Sequence, residues 1–474
     1  MEGEIGRFTF KTFDVKGAHQ KPLFQGIELF PVAKGKQWYP TCGFKEIALI
    51  HGAAQRSYRQ TVQVFNRSRR QESGGTPLNT LRDMTEAEGL KVLDFLARKT
   101  ENIFLRNHFS PEGRPEPDHP LLEKERPQAT FLEPPVLESA LAEVCKEMAG
   151  KGLSAEAIEQ VRKGCGLPAL REEEAGCESV PDEEKESAGP AQQAYEDSRH
   201  CVYIHLDDVG VKEQKQQRGP RHAKAVAEEV EAPSILSSSP PPASDGSEKG
   251  TRPMVQNTVG YIEHQGKSFT LTARSVGEVV TFILAFLLNH DLAKLKLMVC
   301  TDGQRSLQDA VLAFFSWHPC VTLLLDWFHL VKKFKEDLSL ACKGREIRNR
   351  HLKPLLTWLW FGRVDQAKAY LLTISASDLK NAKMIDRLCG YLERNRKWIP
   401  CYALRSKLNL PNSSSPAERC NNLVTARRQK RHGMSWSENG SYALTALNAV
   451  TLNGAARQWA EHRTMPFALV AKAA

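Results

Sequence analysis

Residues 295–315 read LKLMVCTDGQRSLQDAVLAFF. The apolar run Leu297-Met298-Val299-Cys300 stops at Thr301-Asp302-Gly303, and an amphipathic stretch takes over. That is the pattern of a buried strand followed by a helix, the recurring unit of α/β folds. A carboxylate ending a buried strand is costly to desolvate without a partner. Asp-Gly is also a common turn dipeptide. Two readings of Asp302 therefore stand side by side: an ordinary turn, or a metal ligand at the carboxyl end of a sheet, where α/β folds tend to place their sites.

Upstream, CVYIHLDDVGVK (201–212) is rich in β-formers and carries Asp207 and Asp208. VQNTVGYIEHQGKSFTLTA (255–273) reads as a hairpin turning at His264-Gln265-Gly266-Lys267, and SVGEVVTFILAFLLNHDL (275–292) as an apolar helix. Downstream, LQDAVLAFFSWH (307–318) is helical, and VTLLLDWFHLVKKFKEDLSLAC (321–342) is a short strand running into a helix. Strands β1 (201–212), β2 and β3 (within 255–273), β4 (295–303) and β5 (from 321) give the order β1-β2-β3-α-β4-α-β5. This is an α/β mixed sheet, an antiparallel meander followed by βαβ units.

In such a sheet β1 and β4 are neighbours. Asp207 shares the parity of Tyr203 and His205, and Asp208 that of Ile204 and Leu206, so only one of them can reach a given site. Two carboxylates converging there repel unless a cation holds them. Mg²⁺ takes oxygen ligands and often binds through one or two carboxylates plus phosphates. A third carboxylate is available in PNSSSPAERCNNLVTARRQKRHGMSWSENG (411–440), where Glu418 follows Ser415-Pro416 in the first turn of a helix. Asn421 and Asn422 lie three and four residues on, along the same face, and Arg427, Arg428, Lys430 and Arg431 are suited to phosphates.

Charge supports an anionic partner. The 474-residue chain carries 65 Lys and Arg against 56 Asp and Glu, a net of +9. Residues 331–436 alone hold 23 Lys and Arg against 8 Asp and Glu. A basic block of that size points to a polyanion, most simply nucleic acid. The 11 cysteines include no C-x-x-C pair, which argues against the common structural zinc sites. No basic-then-apolar leader and no run of about 18 apolar residues is present, so a reduced, cytosolic protein without a membrane span is expected.

Toward the N-terminus, residues 1–50 look β-rich. The stretches at 53–71 and 76–99 read as helices separated by Ser73-Gly74-Gly75-Thr76, compatible with helix-turn-helix DNA binding and equally with an ordinary helical hairpin. The expected organisation is an N-terminal region 1–106, a linker with short helices 107–198, a catalytic domain 199–333 plus 411–464 with a loose Ser/Pro insert near 215–253, and a helical insertion 334–410. Trp358, Trp360 and Trp398 read as core of that insertion rather than base-stacking platforms.

IHLDDVGVK, VCTDGQRSL, LLLDWFHLVKKF and AERCNNLVTARRQKRHGMSWSENGSYALTAL together resemble bacterial insertion-sequence DDE transposases of the Mutator-like group, over roughly residues 200–460. The resemblance implies an RNase H-like catalytic domain preceded by a mostly helical DNA-binding region. It implies Asp207, Asp302 and Glu418 as catalytic and metal-binding residues, with the doubled Asp207-Asp208 leaving the first ligand open. It implies two Mg²⁺ or Mn²⁺ ions as cofactors. Asp326, His329 and Asn422 would support the site, the first two matching an Asp-x-x-His motif; taken alone, they also read as a helix cap and a core histidine. DNA contacts would fall to Lys332, Lys333, Arg345, Arg348, Arg427, Arg428, Lys430 and Arg431. The implied activity is cleavage at transposon ends and strand transfer into target DNA, by a homo-oligomer in the bacterial cytoplasm acting on double-stranded terminal repeats. A nuclease of the same fold and an inert DNA-binding derivative are the alternatives.

Overall fold

The computed structural model describes residues 41–122 and 134–161 with short interruptions, 201–214, 253–430 and 433–471, together with four strand fragments of two or three residues within 2–24. The expected Ser/Pro insert, the acidic stretch 171–198, the turn at 73–75 and Arg431 lie outside the described residues.

One six-stranded sheet organises the chain. Its strands are β1 (Cys201–Lys212), β2 (Met254–His264), β3 (Lys267–Ala273), β4 (Lys296–Thr301), β5 (Val321–Leu325) and β6 (Val470–Ala471), in the spatial order β6-β3-β2-β1-β4-β5. β1 pairs antiparallel with β2, from Tyr203 opposite Glu263 to Lys212 opposite Met254. It pairs in parallel with β4, from Cys201 opposite Lys296 to His205 opposite Cys300. β5 continues the parallel half, with Thr301 opposite Leu325. The expected meander and βαβ units are therefore present. The edge pairing of β6 with β3 was not foreseen, because two residues carry no alternation to read.

The parallel strands read as continuous apolar runs because both of their faces are covered. Val202, Ile204, Leu206, Leu297, Val299 and Leu323 pack against α5 (Val276–Asn289) and α6 (Arg305–Phe314) in the main core. Cys201, Tyr203, Met298, Cys300 and Leu324 form the opposite face.

The N-terminal helices do not stand apart. They are α1 (Cys42–Ala54), α2 (Tyr58–Ser68) and α3 (Leu78–Arg106), and Leu49, Ala53, Val92, Leu93, Leu96 and Phe104 belong to the same core as the sheet. Residues 42–50 are helical, not β-rich as expected. α3 lies against α13 (Glu438–Leu452) so closely that a Cβ on Gly89 would sit 2.2 Å from the Ala443 carbonyl oxygen. The expected boundary at 106 thus does not separate two cores.

The insertion is helical, as expected. It comprises α7 (Trp327–Ala341), α8 (Arg345–Trp360), α9 (Val364–Leu372), α10 (Lys383–Asn395) and α11 (Tyr402–Lys407), built around Leu330, Phe334, Leu355, Leu388 and Leu392. Trp358, Trp360 and Trp398 pack against this core. α4 (Pro134–Gly150), expected in a linker, packs through Leu141, Val144 and Met148 on Phe361 and Leu404 of the insertion. The chain then returns as α12 (Ser415–Asn421), a π-helical turn (Asn422–Ala426) and a short helical segment (Arg427–Gln429). α14 (Ala456–His462) follows α13. Among the described residues no helix is long and apolar enough to cross a membrane.

Candidate active site at the carboxyl edge of the sheet

The register of the parallel strands sets the site. His205 stands opposite Cys300, so the same register carried two residues on brings Asp207 level with Asp302. Thr301 stands opposite Leu325, which brings Asp326 level with Asp302 on the other side. Asp207 inside β1, Asp302 just past β4 and Asp326 just past β5 thus fall along one line on three adjacent strands, at the edge where parallel sheets place their chemistry.

Asp302 closes its strand with a turn. Its Oδ1 accepts a hydrogen bond from the Gln304 backbone N–H at 2.8 Å. Gly303 has φ +84°, and a Cβ there would lie 2.6 Å from the Tyr391 hydroxyl and 2.8 Å from Leu325 Cδ1. Glycine is required on both counts. The turn reading of Asp-Gly and the site reading are therefore compatible, since the Asx turn holds a half-buried carboxylate at the sheet edge.

The two β1 aspartates separate as their parity demands. Asp207 Oδ2 accepts from Asn421 Nδ2 of α12, on the face of Tyr203 and His205. Asp208 is bonded by its cross-strand neighbour Thr258 at 2.6 Å. Burial pushes the Asp207 carboxyl above its usual range, and the nearby charges of Asp302 and Glu418 push the same way. The Asn421 bond and His329 oppose them. Asp208 is raised as well, by burial first, with Asp302 adding and Thr258 opposing.

Asp326 is almost fully buried and caps α7, with Oδ1 accepting from the His329 backbone N–H at 2.7 Å. Its Oδ2 accepts from the Ser414 backbone N–H and from Ser414 Oγ. Burial works to raise its pKa, but these bonds and the His329 ring outweigh it and hold the carboxyl below its usual range. The His329 ring stands with Nδ1 3.3 Å from Asp326 Oδ1 and Nε2 3.4 Å from Glu418 Oε1. The Asp326 carboxylate, helped by Asp302 and Glu418, keeps the imidazole pKa above its ordinary value against the effect of burial. Asp207, Asp302, Glu418 and His329 are thus one electrostatic group. Among the described residues, no three His, Cys, Asp or Glu side chains are gathered closely enough to hold one metal ion. Each of the three carboxylates has a polar partner instead: Asn421 for Asp207, Gln304 N–H for Asp302, His329 for Glu418.

Several expected contributors sit elsewhere. Asn422 is exposed, and its neighbour Asn421 makes the bond to Asp207. Asn421 lies three residues past Glu418 on the same regular helix and is buried, so it is the asparagine that faces β1. Arg428 lies just beyond the π-helical turn at Asn422–Ala426. It is buried between the Tyr58 and Trp436 rings, 5.2 and 4.8 Å from their centroids, and is removed from any phosphate. Lys333 is paired with Asp337 at 2.9 Å, and Arg348 bonds Ser339 and Asn349. Lys332, Arg345 and Lys430 are exposed, and Arg427 is half-buried.

No family model, curated protein or solved structure matches the chain.

Proposed function

We propose that the protein is a metal-dependent phosphoryl-transfer enzyme acting on DNA, with an RNase H-like sheet and a DDE-type acid set of Asp207, Asp302 and Glu418. The reading is that of a transposase that nicks at element ends and joins the freed 3′ end to a target. The observation that carries it is the parallel register, which sets Asp207 and Asp302 level on adjacent strands with Glu418 and Asn421 on the helix above them.

The donor set suits a small divalent cation. Asp207 and Asp302 offer hard oxygens on one edge, and ions of this class complete their shell with substrate phosphates. Asp207 and Asp302 would hold the metal, and Glu418 would join them on leaving His329. A bound divalent ion supplies an activated water and neutralises charge on the leaving oxygen. The protein's own groups do the rest. Asn421 orients Asp207 by bonding one of its oxygens. Asp326 fixes the first turn of α7 and hence His329. The imidazole is held protonated toward higher pH by Asp326, which suits it to a carboxylate or a phosphate. Lys332 and Lys430 present charge for the backbone of the duplex.

The test is a nicking and joining assay on labelled DNA carrying the flanking terminal repeats, with Mg²⁺ or Mn²⁺, beside Asp302→Ala. Metal-dependent nicking and joining, absent in the variant, supports the reading. Nicking without joining transfers it to a hydrolytic nuclease. Equal DNA binding by both proteins with no cleavage under either metal refutes catalysis.

A further inference from the structure

The insertion leaves the sheet domain at Asp326 and returns at Ser414, and one buried carboxylate joins the two points. A helix cap needs only the bond from His329 N–H to Asp326 Oδ1. The other oxygen is committed across 88 residues of chain, to the N–H and the hydroxyl of Ser414. The Ser414 carbonyl in turn accepts from the Glu418 N–H at 3.0 Å. Neighbouring bonds brace the same junction: Trp327 N–H to the Asn412 carbonyl at 3.0 Å, and the Tyr402 hydroxyl to the Leu325 carbonyl at 2.8 Å. Arg405, fully buried, donates to the Pro411 carbonyl at 2.6 Å.

We propose that Asp326 is a positioning residue for Glu418, acting through Ser414 and His329 to hold α12 at the carboxyl edge of the sheet. Both of its oxygens accept, and all of its partners donate. An Asn in its place turns an N–H toward one of those donors and leaves that donor unpaired in a buried site. The backbone of Ser414, and with it the first turn of α12, loses its anchor. His329, the partner of Glu418, loses the charge that orients its ring.

The idea builds on Glu418 being catalytic, although the clamp itself does not depend on that. The experiment uses the full chain as wild type, Asp326→Asn, Ser414→Ala, Glu418→Ala and the Asp326→Asn/Glu418→Ala double variant. Amide hydrogen exchange over 412–421 reads the clamp, and nicking of terminal-repeat DNA reads its use. Exchange in Asp326→Asn should rise at least about tenfold in that segment while the central strands keep wild-type protection. The nicking kcat should fall about 10- to 100-fold with KM for DNA nearly unchanged, as for other residues that orient a ligand. Ser414→Ala should show the same pattern on a smaller scale, and it takes over the comparison if Asp326→Asn does not fold. The double variant should be no slower than Glu418→Ala, because Asp326 acts through Glu418; a general structural defect would multiply with it. Unchanged exchange over 412–421, or multiplicative losses in the double variant, overturns the proposal. A wild type that never nicks refutes the catalytic reading alone, and the exchange result still judges the clamp.

Discussion

Replacing Gly303 with Ala tests the geometry of the Asp302 turn directly. The backbone there has φ +84°, which costs a residue bearing a Cβ about 1–2 kcal/mol. The added carbon would meet Tyr391 Oη at 2.6 Å and Leu325 Cδ1 at 2.8 Å, where ordinary contact begins near 3.4 Å. Leu325 is fully buried in β5 and Tyr391 is nearly so on α10, so neither can step aside into solvent. Overpacking of this kind adds about 1–3 kcal/mol, for a total of about 2–5 kcal/mol. Tyr391→Phe removes the nearest obstacle and leaves the φ penalty and Leu325. The double variant should therefore recover about 1 kcal/mol of the loss. Thermal and urea unfolding followed by tryptophan fluorescence, run on all four proteins of the cycle, measures both numbers. A Gly303→Ala protein within about 0.5 kcal/mol of wild type, or no coupling to Tyr391, would refute the account of why Gly follows Asp302.

Asp207→Asn should abolish nicking yet stabilise the fold by about 1 kcal/mol at pH 7, as removal of strained site charges commonly does. The native carboxyl is raised by burial, so its ionisation weakens folding as pH rises through the shifted range, and the gain should vanish below about pH 4. Thermal melts at the two pH values check this. His329 has a raised native pKa, so its contribution is complete below about pH 6.5 and is lost as pH climbs through the folded value. His329→Gln should flatten the fall in melting temperature over that window. A slope equal to wild type's would contradict the ion-pair assignment. Arg428→Ala should cost about 3 kcal/mol of stability, since it empties a buried site between two rings. Lys332→Ala and Lys430→Ala should leave stability unchanged but weaken DNA binding, each lowering the salt slope by about one. DNA titrations across a salt series separate the two classes.

Most of the sheet was legible because β2 to β5 carry readable boundary signals: Asp302-Gly303 for β4, Gln265-Gly266 for the hairpin, the apolar run before Asp326 for β5. Parity alone separated Asp207 from Asp208, and the cross-strand bond from Thr258 accounts for the second. What escaped depended on events that leave little local trace. Asn421 and Asn422 are alike in sequence, and only packing shows the first buried on Asp207 and the second exposed; Arg428 is buried by the Tyr58 ring, which is far from it in sequence. The place of α3 in the main core rests on Gly89 meeting Ala443 some 350 positions away, a contact no window of sequence reveals. Asp326 read as a cap, and it is one, but its second oxygen serves Ser414, which only the closed chain brings near.

The neighbouring exit and return of the insertion also bear on how this chain can vary. Since Asp326 and Ser414 are bonded, the intervening helices hang from a closed gate, with an apolar core of their own around Phe334 and Leu388. Doubling the length of such an excursion costs only about 0.6 kcal/mol in closure entropy. The length of the segment is then nearly independent of the spacing between Asp302 and Glu418, provided Tyr391 keeps its place against Gly303. A chimaera carrying a foreign helical hairpin between the two anchors, with Tyr402 and Arg405 kept, should melt with wild-type cooperativity in the sheet. The chain would then be a host with an exchangeable cassette, open to change without touching Asp207, Asp302 or Glu418.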